Sequence, residues 1–169
     1  VRLFAKSGLS FLVSSSFSKS FGLYGERVGA LSIVCESREI ATRVLSQVKR
    51  VIRTNYSNPP THGASIVGAV LASPELNSLW QEELGQMRER IRNTRQAFVE
   101  KLAAKGAARD FSFVARQRGM FSYSGLSAEQ VERLKIEFGI YAVSTGRICV
   151  AALNEHNLDA VTQAIVEVL

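Results

Sequence analysis

Two cysteines, two histidines, three prolines and one tryptophan are all that 169 residues contain of these types, and the scarcity closes off whole classes of protein. Cys35 and Cys149 lie far apart in apolar, strand-like runs. Thiols in that setting read as buried free cysteines in a reducing, cytoplasmic compartment, not as a disulfide framework. Neither has metal-ligand spacing, and His62 and His156 have no Cys or His neighbour to complete a site, so no metal is expected. No apolar run approaches the ~18 residues of a membrane span, and no signal-peptide pattern opens the chain. Internal repeats and low-complexity tracts are also missing. What remains, 46% hydrophobic and 21% charged residues, describes a folded chain with a real core and not a disordered one. The formal charge of +6 permits nucleic-acid binding. However, the arginines between Met87 and Arg95 alternate with Glu89, Asn93 and Thr94 along one predicted helix. They have no interleaved aromatics and no helix-turn-helix pattern, so a solvated helix face is expected.

The most informative stretch runs from Ser14 to Gly29, Ser-Ser-Ser-Phe-Ser-Lys-Ser-Phe-Gly-Leu-Tyr-Gly-Glu-Arg-Val-Gly. It places Lys19 in a hydroxyl- and glycine-rich loop between two apolar runs, Phe11–Val13 and Val28–Cys35, which read as buried strands. Serine hydroxyls and the Arg27 fork suit a phosphate. A lysine amine in such a loop attacks carbonyls when deprotonated. The stretch therefore offers an anion clamp with an amine nucleophile beside it.

Further along, Ser37 caps a predicted helix with apolar positions at Ile40, Val44, Val48 and Val51/Ile52, ending near Arg53. Asn58-Pro59-Pro60 stops it. Thr61–Ala72, apolar nearly all round, reads as a buried helix. Ser73-Pro74-Glu75 starts a long helix with a stripe from Leu76 to Leu102. About thirty residues would span roughly 45 Å, more than one small core covers, so this helix is expected to bridge two domains. Its Met and Trp positions read as packing. Then Phe111–Arg116 and Met120–Ser124 read as a hairpin turning at Gln117-Arg118-Gly119. Ser127-Ala128-Glu129-Gln130 is a capping box. Ile140–Val143 and Arg147–Ala152 read as strands about the turn 144–146, and Asn157 caps a last helix. The β-β-α-β-β-α order is an α+β sandwich.

Ser16-x-x-Lys19, Phe21-Gly22-Leu23-Tyr24 and Glu26-Arg27-Val28-Gly29 together closely resemble the cofactor-lysine segment of the pyridoxal-phosphate aminotransferases of fold type I. The likeness is greatest to the aspartate and aromatic-amino-acid aminotransferases. The resemblance implies an α/β fold with the tail of the large cofactor domain over 1–72. A long interdomain helix and a small α+β C-terminal domain follow over 73–169. It implies pyridoxal 5'-phosphate held covalently by Lys19, its phosphate bound by Ser16 and Arg27, and Tyr24 at its edge. Arg147, at a strand start after Gly146, matches the arginine that grips the substrate α-carboxylate. Phe121 matches an apolar residue near the substrate side chain. Arg53, before Asn55-Tyr56-Ser57-Asn58-Pro59-Pro60, matches the arginine that pairs across a homodimer with the distal carboxylate of aspartate or glutamate. Ser57 and Asn58 would be subunit contacts. The implied reaction is a ping-pong exchange of an amino group between an amino acid and a 2-oxo acid such as 2-oxoglutarate.

The chain opens at Val1 without a methionine, whereas family members carry a much longer region before the lysine. The resemblance thus implies the C-terminal part of a larger enzyme, with exposed sheet edges when taken alone. Two other classes stay open at this point. One is a non-catalytic aminotransferase-like ligand module of a regulator. The other is a bare nucleic-acid binder, whose affinity would depend strongly on salt.

Overall fold

The computed structural model describes residues 1–169. The chain divides into two compact units, Val1–Gln81 and Glu82–Leu169. No helix is long and apolar enough to cross a membrane.

The first unit opens with a short helix α1 (Arg2–Lys6), then an antiparallel ribbon of β1 (Phe11–Ser16) and β2 (Gly29–Val34). The register runs from Phe11 opposite Val34 to Ser16 opposite Gly29. α2 (Arg38–Tyr56) starts where Ser37 accepts a hydrogen bond from the Ile40 amide, 3.2 Å, as a capping serine should. Its stripe Ile40, Val44, Val48 and Ile52 is half-buried, while Leu45 and Val51 are exposed. α3 (His62–Ala72) buries Gly63 and Val67, with Gly63 against Glu26 and Val28. The expected burial of both strands and of α3 all round is not found: Leu12, Leu31 and Leu71 are exposed. Two strands make one narrow ribbon, too small a surface to cover three helices or to be covered by them.

α4 (Pro74–Ala104) crosses from the first unit into the second. Its stripe is uneven. Leu76, Leu79 and Met87 are exposed, and burial begins only at Arg95, Phe98 and Leu102. In the second unit α4 is followed by a single helical turn α5 (Ser112–Ala115), β3 (Phe121–Tyr123), α6 (Ala128–Phe138), β4 (Arg147–Cys149), a 3-10 turn (Val150–Ala152) and α7 (Leu158–Val168). Phe98, Leu102, Val114, Leu134, Val150 and Ile165 form the core, each worth about 1.5–3 kcal/mol when fully buried. α6 carries the expected capping box between Ser127 and Gln130. Asn157 occupies the cap position of α7 without a side-chain cap bond. Its amide instead donates to Ala152 O, 3.1 Å, and its carbonyl accepts from the Asn154 amide, 2.8 Å.

Two strand expectations fail for local reasons. The segment 111–116 is helical because the Asp110 carboxylate takes both the amide and the hydroxyl of Ser112, 2.7 and 2.6 Å. That side-chain capture turns the backbone away from an extended path, and buried Phe111 and Val114 then share one helical face. Hence β3 has no hairpin partner before it and pairs with β4 instead, Phe121 opposite Cys149 and Tyr123 opposite Arg147. The segment 140–143 is no strand either. The Ile140 amide is spent on Leu134 O, 3.0 Å, closing α6 behind Gly139, an arrangement typical of helix ends.

Gly146 has φ +80, and a Cβ there would meet Leu126 O at 2.7 Å. Gly146→Ala should therefore cost more than the ~1 kcal/mol of an ordinary glycine replacement at positive φ, measured by denaturant unfolding; an unchanged midpoint would contradict this packing. Asp159 is held below the usual carboxylate range by hydrogen bonds from Lys101 and then Lys105. Its stabilising contribution is fully present above its unfolded-state pKa and disappears as pH falls through the lower folded-state value. The stability gap between wild type and Asp159→Asn should close in acid; a gap independent of pH would refute the pairing.

Candidate active site

The ribbon places the first group of candidate residues. Beyond the Ser16–Gly29 pair, the Phe17 amide donates to Val28 O, 3.2 Å, so 17–28 is a closed loop with Ser16 ending one stem strand and Arg27 in the turn just inside the closing pair. Inside it Phe21 N donates to Phe17 O, 3.1 Å, and Gly22 N to Lys19 O, 3.4 Å, a tight turn around the lysine. Gly29 is required at the stem, since a Cβ there would lie 2.6 Å from Ser15 O. Ser18 is buried, 4% exposed, and its hydroxyl and amide both meet the Ser16 hydroxyl, 3.1 and 3.2 Å. Lys19 is exposed, with Nζ 5.2 Å from the centre of the Tyr24 ring, a cation–π contact worth ~0.5–1 kcal/mol at such a site.

Arg27 has φ +52, a backbone state that costs a non-glycine residue on the order of 1–3 kcal/mol. Its guanidinium donates to Tyr24 O, 3.2 Å. The loop is braced from α4: Trp80 stacks on Phe21 at 4.5 Å and donates through Nε1 to Ser20 O, 2.7 Å. The sequence reading gave Trp80 packing alone; its bond to the lysine loop has no signature in the sequence. Ser18, lost among four neighbouring serines, was missed as well.

Arg53, Ser57 and Asn58 lie together at the end of α2. Ser57 has φ +70 and ψ −68, and Asn58 N donates to Tyr56 O, 2.9 Å. These are the marks of a γ-turn of the rare positive-φ kind. The Ser57 hydroxyl accepts from Arg53 Nη1, so the turn holds the arginine head that helix geometry alone would leave mobile.

The third group sits in the second unit. Arg147 opens β4, exposed, with its guanidinium carbon 4.9 Å from the centre of the Phe121 ring. A buried hydroxyl, Ser124, accepts from Leu126 N, 3.2 Å, and donates to Gly146 O, 2.7 Å. It thereby pins the turn just before Arg147. Arg95 on α4 is also buried, 5% exposed, and donates to Gly119 O and, through Nε, to Ser122 Oγ, 3.2 Å. Burial, and then the neighbouring Arg118, lower its pKa from the ordinary arginine value. Ser124 was not singled out from the sequence, and Arg95, expected with its neighbours on a solvated helix face, is instead buried. None of Lys19, Arg27, Arg53 and Arg147 belongs to an ion pair of the chain, and no cluster of His, Cys, Asp or Glu is suited to a metal ion.

The donor set in the lysine loop, two hydroxyls, a guanidinium and an amine, suits a phosphorylated carbonyl compound. Comparison with known proteins agrees with it. The sequence pattern described as "Aminotransferase class I and II" matches residues 1–165. An aspartate aminotransferase of Pseudomonas aeruginosa is 79% identical over the whole chain, which covers 42% of that protein. An aromatic-amino-acid aminotransferase of Escherichia coli is 50% identical over the same length, 43% of its own. Among solved structures, an aromatic-amino-acid aminotransferase of Burkholderia pseudomallei, covalently bound to pyridoxal phosphate, superposes with a TM-score of 0.94 at 70% identity. The match covers 99% of this chain and 42% of that one. The chain thus spans about two fifths of the length of these relatives. With most of its length matched by the family pattern, the chain belongs to the class I and II aminotransferases.

Proposed function

We propose that this sequence supplies the cofactor lysine and the carboxylate-binding arginines of a cytoplasmic, homodimeric aminotransferase acting on aspartate or aromatic amino acids with a 2-oxo acid as partner. The observation that carries the reading is Lys19, held in a closed loop that begins after Ser16 and carries Arg27 in the turn before its closing pair. The names of its relatives, aspartate and aromatic-amino-acid aminotransferases, support the substrate class.

The donor set fits pyridoxal 5'-phosphate, which when bound supplies the electron sink that makes an amino-acid Cα–H acidic. In this reading Ser16 and Arg27 hold its phosphate, a charge-assisted pairing stronger than a neutral one. Lys19 would be the residue that holds the group covalently, with the Tyr24 ring beside its Nζ. With the group bound, Lys19 Nζ would be the base that accepts the substrate Cα proton and the acid that gives it back. Arg147 binds the α-carboxylate through two parallel N–H donors and so aims the Cα–H bond at that amine. Phe121 lies against the Arg147 guanidinium, on the side of the substrate side chain. Arg53 meets a distal carboxylate across the dimer, with Ser57 and Asn58 as contacts between subunits. The large cofactor domain ends near Ala72 in this reading, and the helix from Ser73 joins it to the small domain.

Both tests use a protein of full family length carrying this sequence. Lys19→Ala should abolish turnover and remove the peptide labelled by borohydride in the presence of pyridoxal phosphate; retained transamination would sink the assignment. Arg147→Ala should lose about 2–3 kcal/mol of transition-state binding, roughly 30- to 160-fold in kcat/KM. An unchanged kcat/KM for every amino acid tested would reject the carboxylate role.

A further inference from the structure

Arg95 poses a problem that packing does not answer. It is a buried cation with no carboxylate partner, and an apolar side chain of similar volume in such a place is often neutral or stabilising. Its hydrogen bonds show where it acts. One goes to Gly119 O, in the turn before β3, and one to Ser122 Oγ, in the middle of β3. Ser122 is buried, while its neighbours Phe121 and Tyr123 are exposed, as alternation along a strand requires. The guanidinium therefore grips the inner face of β3. A slip of one residue would turn Phe121 inward and take it away from Arg147. In the existing register Arg147 stands opposite Tyr123 and one diagonal step from Phe121, within reach of an aromatic ring, and the ring lies 4.9 Å from its guanidinium carbon.

We infer that Arg95 is a positioning residue: by fixing the face and register of β3 it sets Phe121 against Arg147 and so orients the fork that takes the substrate α-carboxylate. This rests on the reading of Arg147 given above. A fork turned off its direction still meets an anion but no longer aligns both donors, so its hold on a carboxylate weakens.

The test uses holoenzyme of full family length, with KM and kcat measured for aspartate and for 2-oxoglutarate. Arg95→Met, which keeps the stem and removes the fork, should raise both KM values on the order of tenfold while kcat changes less than about twofold. Phe121→Ala should raise KM in the parent but add little to Arg95→Met, because the two changes act on one element. KM values at the parent level, or fully additive effects, would overturn the inference even if Arg95→Met lowered Tm. Should Arg95→Met fail to fold, Ser122→Ala removes one acceptor and leaves the cation; it should shift KM in the same direction by a smaller factor, and no shift would overturn the inference. Arg147→Ala separates the two levels. If it raises KM and the Arg95 and Ser122 variants do not, only the positioning role is lost. If it too leaves KM unchanged, the carboxylate reading falls and takes the positioning role with it.

Discussion

A single backbone hydrogen bond, from the Phe17 amide to Val28 O, closes the loop on which the lysine site depends. Below it the ladder runs unbroken from Phe11–Val34 to Ser16–Gly29, and above it no strand pairing continues. Because pairing stops there, Ser16 ends one strand and Arg27 lies in the turn just inside the closing pair, and the lysine between them is confined to a turn. A loop held only at its base would be mobile. This one is also held from above by Trp80, which contributes a stacked ring and a hydrogen bond to Ser20. The site is thus a property of backbone register first and of side-chain chemistry second.

Three arginines, Arg27, Arg53 and Arg95, are held by neutral oxygens instead of acids. Arg27 donates to a main-chain carbonyl, Arg53 to a serine hydroxyl, and Arg95 to a carbonyl and a hydroxyl. Such partners fix the direction of a guanidinium without cancelling its charge, so the head stays attractive to an anion. Carboxylates are used elsewhere for a different purpose. Lys101 and Lys105 meet Asp159 and so tie α4 to α7, and Arg133 meets Glu137 along α6.

Helices were legible wherever their ends carried chemistry that acts locally. Ser37, Ser73-Pro74 and the Ser127–Gln130 box all mark real starts. The lysine loop was legible because the whole run from Ser16 to Gly29 resembles one family segment, where Ser-x-x-Lys alone would read as a surface loop. Strands fared worse in the second unit, since a three-residue strand such as β3 or β4 carries too short an alternation to read. The segment 111–116 shows why: its apolar pattern fits strand and helical turn alike, and the decision lay with the Asp110 carboxylate one residue outside it. Burial of the ribbon was misread because apolar content says that a face prefers cover, not that the chain has the layers to provide it. Ser124 could not be found at all, and Arg95 was read as part of a solvated face although it is buried. Their significance comes from contacts with residues far away in sequence, Ser122 and Gly119 for one, Gly146 for the other.

The γ-turn at Ser57 has a consequence for anyone seeking a sturdier protein. Position 57 is where a residue without a side chain would relax the backbone, so a stability screen would favour glycine there. That gain would come at the cost of unhooking the Arg53 head from its hydroxyl. Backbone ease and a fixed guanidinium are therefore set against each other at one residue.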